Sequence, residues 1–333
     1  MLTFAARFRV AAAAASAVLL LLLLAGCSAS TGTAGPSASP RPEAERYPVT
    51  VDNCGTDVTF EAAPERVITI KSSTTETMLA LGLGDRIIGT AALDGPLPDS
   101  ADSAPTIISD KVPGREAVLA LAPDLVYAGW ESNFSAEGVG ERPALTDLGI
   151  ATYVSPAACK GEGYMPDPLT FDAVFDEIRE VGAIFDADAA AAALVDDQRA
   201  QLESLTPAEG SPTAVWYSSG RATPYVGAGI GAPAMIMKAA GLSNMAADVR
   251  DTWTSLSWEA VIAANPDVIV LVDSAWNTAD SKIATLEENP ATAALDAVRQ
   301  KRYVVVPFAA TEAGTRNVDA VASIIDQLQE LGW

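Results

Sequence analysis

One short pattern occurs twice in this chain. Residues 116–127 read EAVLALAPDLVY and residues 259–270 read EAVIAANPDVIV, with six of twelve aligned positions identical and most others apolar swaps. Each copy predicts a short apolar helix (117–121 and 260–264), a Pro-Asp corner and a continuous apolar strand (125–128 and 268–272). A helix must stop before Pro, because the residue preceding Pro avoids the α region. A strand apolar at successive positions is buried on both faces, as in a parallel α/β sheet. The copies are about 143 residues apart, too distant for a solenoid. They predict an α/β protein of two similar lobes with parallel-rich sheets and a ligand cleft between them.

Residues 1–26 read as an export signal. Arg7 and Arg9 precede an apolar run from Val10 to Leu24, and Leu24-Ala25-Gly26-Cys27 supplies small residues at a cleavage point. An uncleaved membrane anchor is the other reading. Residues 27–46 are rich in Ser, Thr, Ala, Gly and Pro without an apolar period, the composition of a flexible tether. The remaining residues divide into an N-terminal lobe (47–168), a helical connector (169–206) and a C-terminal lobe (207–333). The connector repeats apolar residues at intervals of three and four from Phe171 to Leu194, as one long connecting helix or two abutting ones.

Charge and composition exclude whole classes. Without Arg7 and Arg9 the chain carries 19 basic against 43 acidic residues, which repels nucleic acid. It has no His, so a Ser-His-Asp triad is impossible and His-ligated zinc or iron sites are absent. No metal and no cofactor is expected. Cys54 and Cys159 remain after Cys27, and an even pair in an exported chain favours a disulfide that staples the N-terminal segment to the first lobe.

In parallel sheets ligands bind beyond the carboxyl ends of the strands, and the candidate residues come from there. Lys71, Ser72 and Ser73 follow a predicted strand at 67–70. They form either an anion site of free N–H groups or plain Ser/Thr capping of a helix at 75–81. Trp130 and Glu131 follow the first repeat strand; Trp276 and Asn277 hold the equivalent place after the second. Lys111, Ser219, Arg221, Trp253 and Arg316 complete the set, with Arg316 the preferred cation. For each Trp the competing role is packing, and Trp216, inside a strand, reads as core.

The order of segments, with VTVDNCGTDVTFEAAPERVITI, TETMLALGLGDRIIGT and the two Pro-Asp strands, resembles the lipid-anchored substrate-binding proteins of ABC importers. Within them it is similar to the iron-siderophore and cobalamin class, from residue 49 to the end. That resemblance implies lipidation at Cys27, location on the outer face of the cell membrane, a monomer, and delivery of a small-molecule ligand to an ABC permease and its ATPase, with no enzymatic chemistry. It also implies that a surface Glu on each lobe meets the permease: Glu76 matches the first, and Glu259 stands as a substitute for the second. The segments KSSTTE, SDKVPG, YAGWESN, SPAACK, DTWTSL and DSAWNTADSKI resemble an actinobacterial subgroup proposed to bind a precursor of the deazaflavin coenzyme F-420. A large anionic or planar guest of that kind, or a ferric-siderophore-like chelate, needs aromatic faces such as Trp130, Trp253 and Trp276. It also needs cations such as Lys71, Lys111, Arg221 or Arg316. The alternatives are an exported transferase-like enzyme, for which no nucleophile stands beside a base, and an adhesive lipoprotein without a ligand.

Overall fold

The computed structural model describes residues 46–98, 105–161 and 163–333. The export signal, Cys27 and all but the last residue of the tether therefore lie outside the described residues.

Strands β1 (Val49–Asn53) and β2 (Thr56–Phe60) form an antiparallel hairpin that turns at Cys54-Gly55. The chain continues through β3 (Val67–Ile70), α1 (Ser72–Ala80), β4 (Ile87–Ala91), β5 (Ile107–Ser109), α2 (Arg115–Ala120), β6 (Leu125–Ala128), α3 (Arg142–Thr146) and β7 (Ala151–Val154). Its five strands pair in the order β5-β4-β3-β6-β7, all parallel. The hairpin joins this lobe through Asn53, whose side chain hydrogen-bonds both the carbonyl (2.7 Å) and the N–H (2.8 Å) of Val154. Cys54 and Cys159 are bonded to each other, with 5.3 Å between their Cα atoms.

Two helices follow, α4 (Phe171–Ile184) and α5 (Asp188–Ser204). They are not one long helix. Asp186 takes a positive φ of 56° between them, and the second helix runs back along the first. Arg199, late in α5, reaches Asp172 at the start of α4 (2.7 Å) and lies over the ring of Phe175. The apolar period was continuous enough to read through this turn, because a hairpin of two helices buries the same stripe as one helix.

The second lobe contains β8 (Thr213–Ser219), β9 (Tyr225–Gly227), α6 (Ala232–Ala239), β10 (Ser243–Asn244), β11 (Trp253–Ser255), α7 (Trp258–Ala264) and β12 (Val268–Asp273). It ends with α8 (Ala279–Glu288), α9 (Asp296–Arg299), β13 (Tyr303–Pro307) and α10 (Asn317–Glu330). Here β8, β12 and β13 are parallel, whereas β9 and β11 add an antiparallel edge.

The repeated pattern occupies equivalent places. β6 lies between β3 and β7, and β12 between β8 and β13. At both corners the residue before Pro adopts a left-handed conformation, Ala122 at φ 45° and Asn265 at φ 43°. In both, the Asp of Pro-Asp holds the start of the neighbouring strand. Asp124 accepts from the N–H groups of Glu65 (2.8 Å) and Arg66 (3.0 Å). Asp267 accepts from the N–H (2.9 Å) and hydroxyl (2.8 Å) of Thr213.

Strand alternation divides the core. Val268, Val270 and Val272 enter one cluster and Ile269 and Leu271 another; Leu125 and Tyr127 separate likewise from Val126 and Ala128. The shared cluster runs from β3 and β6 through Phe175 and Ile178 of α4 and Val195 of α5 to β8, β12 and α10. Both lobes and the connector are thus packed on one continuous apolar layer, in which each fully buried aliphatic side chain contributes about 1.5–3 kcal/mol.

Candidate ligand cleft

The carboxyl ends of the two sets of strands face each other across a cavity of about 580 Å³. The first lobe supplies Ser73 after β3, Gly129 to Ser132 after β6, and Ser155, Ala157, Ala158, Lys160 and Gly161 after β7. The second supplies Ser218, Tyr225, Gly231, Ala232, Thr252, Trp253, Phe308 and Thr311 to Ala313. Parallel strands end with their helix-start loops on the same side, so three consecutive strand ends converge on one wall. Four aromatic rings line the space: Trp130, Tyr225, Trp253 and Phe308. Tyr225 and Trp253 are stacked, with centroids 6.0 Å apart and planes 16° from parallel, because antiparallel β9 and β11 place them on neighbouring edge strands.

Beneath Trp130 lies a buried ion pair. Lys71 has a positive φ of 88°, which directs its side chain under the indole, the ammonium 3.8 Å from the ring centroid. There it pairs with Asp94. Burial pushes the Asp94 carboxyl up, and the Lys71 charge opposes that shift. Gly129 makes room for this arrangement, since a Cβ there would come within 2.9 Å of Lys71 Cβ. Asp94 also accepts from the Ser72 N–H at 3.3 Å. The start of α1 therefore has its counter-charge from Asp94 and no side-chain cap from the Ser/Thr run, which corrects the capping expectation.

Two contacts cross the cleft at the cavity. Lys160 Nζ donates to Asp251 at 2.9 Å. Burial alone would raise the Asp251 carboxyl, but hydrogen bonds from Lys160 and the Thr252 N–H hold it below its ordinary value. Trp130 and Glu312 approach each other across the cleft, and burial pushes the Glu312 carboxyl up to about 7, against the opposing charge of Lys71. Glu131 accepts the Lys160 backbone N–H at 2.6 Å. Away from the cavity, Arg316 Nε and Nη2 donate to both oxygens of Glu76 (2.6 and 2.7 Å), and Nη2 also to the Pro96 carbonyl (2.7 Å).

Of the residues singled out in the sequence, Ser73, Trp130, Glu131 and Trp253 line the cavity together. The others do not. Lys71 and Ser72 are buried behind the wall, engaged with Asp94. Lys111 is exposed and lines no part of the cavity. Ser219 yields its place to Ser218, because alternation along β8 turns the two side chains to opposite faces. Arg221 pairs with Glu288 on the outer surface. Trp276 is 66% exposed and meets Phe308 edge-on, so Phe308 provides the cavity face. α8 begins just beyond, and buried Lys282 ties down the intervening loop through the carbonyls of Val272 and Asn277, which commits Asn277 to the turn. Arg316 is committed to Glu76. Glu76 itself is buried between the lobes with its side chain 2% exposed, not a surface acid awaiting a permease; burial raises its carboxyl and Arg316 opposes the shift. Glu259 is exposed in the first turn of α7. Sequence reasoning missed Tyr225, Phe308, Glu312 and Lys160 as wall residues. Only Lys160, at the end of SPAACK, carried a signal.

Among the described residues no group of His, Cys, Asp and Glu could hold a metal ion. None of their helices is long and apolar enough to cross a membrane.

Two sheets whose strand ends close on an aromatic cavity define a two-lobed solute receptor. The chain belongs to the periplasmic binding protein family, whose pattern matches residues 67–310. It is 26% identical over 300 residues to YvrC, an uncharacterised ABC transporter substrate-binding lipoprotein of Bacillus subtilis, covering 85% of this chain and 86% of that one. It is 31% identical over 239 residues to a cobalamin-binding protein of Halobacterium salinarum, covering 67% of this chain and 58% of that one. Among solved structures it resembles an ABC-type Fe3+-hydroxamate transport system protein from Saccharomonospora viridis, with a TM-score of 0.71, 27% identity, and 85% and 99% of the two chains covered. Its homologues are thus ABC transporter substrate-binding proteins, and none of these three points to the transferase alternative.

Proposed function

We propose that this protein captures a flat organic solute outside the cytoplasm and hands it, unaltered, to an ABC permease with its ATPase. The aromatic-walled cavity of about 580 Å³ between the strand ends carries this reading, since sites for drug-sized molecules are roughly 300–1,000 Å³ and mostly apolar with a few polar groups. Cys27 carries the lipid that holds it at the membrane, and it works as a monomer. The named relatives bind cobalamin or belong to ferric-hydroxamate transport, and the candidate solutes here are ring systems or chelates of similar breadth, the deazaflavin precursor included. The reading of binding without turnover is supported by the lack of any imidazole base in the chain.

Native mass spectrometry on the full chain purified from its own cell membrane tests the proposal. The expected spectrum shows one chain with one small molecule and a diacylglyceryl group on Cys27. Purified chain should then raise ATP hydrolysis by its permease complex only when loaded. A chain that leaves no solute, or that converts it to a product, would refute the reading.

A further inference from the structure

Among the described residues the cations around the cavity are paired, whereas Glu312 forms no ion pair. Lys71 is neutralised by Asp94 and Lys160 by Asp251. Glu131 holds the Lys160 backbone N–H and lies within electrostatic reach of Arg142, whose guanidinium is bonded to Asn53 and Thr152. Glu312 has no cation of its own among the described residues. The neutral Trp130 indole lies beside it, and the charged groups that act on it are the two lysines already engaged, together with Asp94. Tyr225 is close enough to feel both Glu312 and Asp251.

Two helix starts border the cavity, and part of each is already engaged. The first N–H of α1, at Ser72, is turned to Asp94. α6 opens with Pro among its first residues, so one donor is missing there, and the Ala234 N–H is spent on Gly231. Among the described residues Lys160 is the only basic one on the wall. The whole chain, at a net charge of −22, attracts cations and repels anions at long range. Aromatic rings beside a carboxylate are how proteins hold organic cations, because the ring faces are electron-rich.

From this geometry we infer that the solute is a flat heteroaromatic cation, its positive nitrogen held at Glu312 and its ring against Trp130, Tyr225 and Trp253. This inference rests on the solute-capture reading and adds the sign of the guest's charge, which sets the anionic deazaflavin precursor aside among the candidates. An unpaired carboxylate in an apolar cavity is costly in the free protein, and a bound cation offsets that cost. Because the Glu312 carboxyl stands at about 7, it must lose its proton to serve. Cation affinity therefore rises with pH as Glu312 ionises, and anion affinity would fall.

The test uses the full chain and three flat probes: thiamine (cationic), riboflavin (neutral) and flavin mononucleotide (the riboflavin ring with a phosphate). Isothermal titration at pH 6 and pH 8 reads the affinities. For a group titrating at about 7 the ionised fraction rises roughly tenfold over that range, so thiamine should bind up to tenfold tighter at pH 8. It should bind at least tenfold tighter than flavin mononucleotide at that pH. Glu312→Gln should abolish the pH dependence for thiamine. The ranking of the three probes on the unmodified protein needs no variant, so misfolding of Glu312→Gln would not blunt the test. Tighter binding of flavin mononucleotide, thiamine affinity that is flat or falls with pH, or no thiamine binding at millimolar concentration overturns the inference. Each of those results leaves solute capture standing, because capture is judged on the molecule found in the native spectrum.

Discussion

Removing Arg316 should strip a buried carboxylate of its partner. Glu76 is 2% exposed and receives two guanidinium hydrogen bonds, at 2.6 and 2.7 Å, from the opposite lobe. In Arg316→Ala the Glu76 carboxylate remains in place without them, and the Pro96 carbonyl loses a donor as well. Breaking a buried ion pair by deleting one partner costs about 3–5 kcal/mol. Glu76 can escape part of that cost by taking a proton, since burial already raises its carboxyl even with Arg316 present. The expected loss is therefore about 3 kcal/mol at pH 7.5, shrinking toward pH 5 as protonation becomes cheap. The double variant Glu76→Gln/Arg316→Met should recover most of it, because no unpaired charge is left behind. Urea unfolding of both variants and the parent at the two pH values measures these differences. A loss below about 1 kcal/mol at pH 7.5, or a double variant no more stable than Arg316→Ala, would show that the pair does not hold the lobes together.

Three further outcomes are expected. Trp130→Ala and Trp253→Ala should each weaken the natural solute about tenfold, read by calorimetric titration. Glu177 on α4 accepts from Tyr127 and Ser155, and burial pushes its carboxyl to about 7. The folded protein holds a proton there that the unfolded chain releases near 4.5, so stability falls as pH rises between those values. Glu177→Gln should flatten that decline and be about 2–3 kcal/mol more stable than the parent at pH 8 in urea titrations. Loss of the Cys54–Cys159 bridge, which spans 105 residues, should cost about 4–5 kcal/mol in the same assay, and an unchanged midpoint would refute the stapling role.

The central helix-corner-strand units were legible because their information is local. Pro-Asp ends the helix, and the Asp reaches only to the next strand. Half of the cleft was legible for a related reason, since parallel strands fix where Ser73, Trp130 and Glu131 must emerge. Tyr225 and Trp253 come from an antiparallel edge to which no such rule applies, and Trp253 was noted without its stacking partner. The cations were misplaced because a sequence does not reveal which carboxylate will meet a given lysine or arginine. Asp94 lies 23 residues from Lys71, and Glu76 lies 240 from Arg316. Trp276 followed its repeat strand as Trp130 did, but α8 and Lys282 turned its loop outward.

The folded-back connector assigns one arm to each lobe. α4 is bonded through Glu177 to Tyr127 and Ser155, whereas α5 is bonded through Gln198 to the Thr315 carbonyl and through Gln201 to Asp319. Any swing of the lobes must then appear as a change in how these arms lie against each other, near the bend after Ile184. There Gly182 sits so close to Ala191 that a methyl group on it would come within 2.5 Å. The bend is thus packed through the bare Cα of Gly182 against the Ala191 methyl, outside the cavity wall.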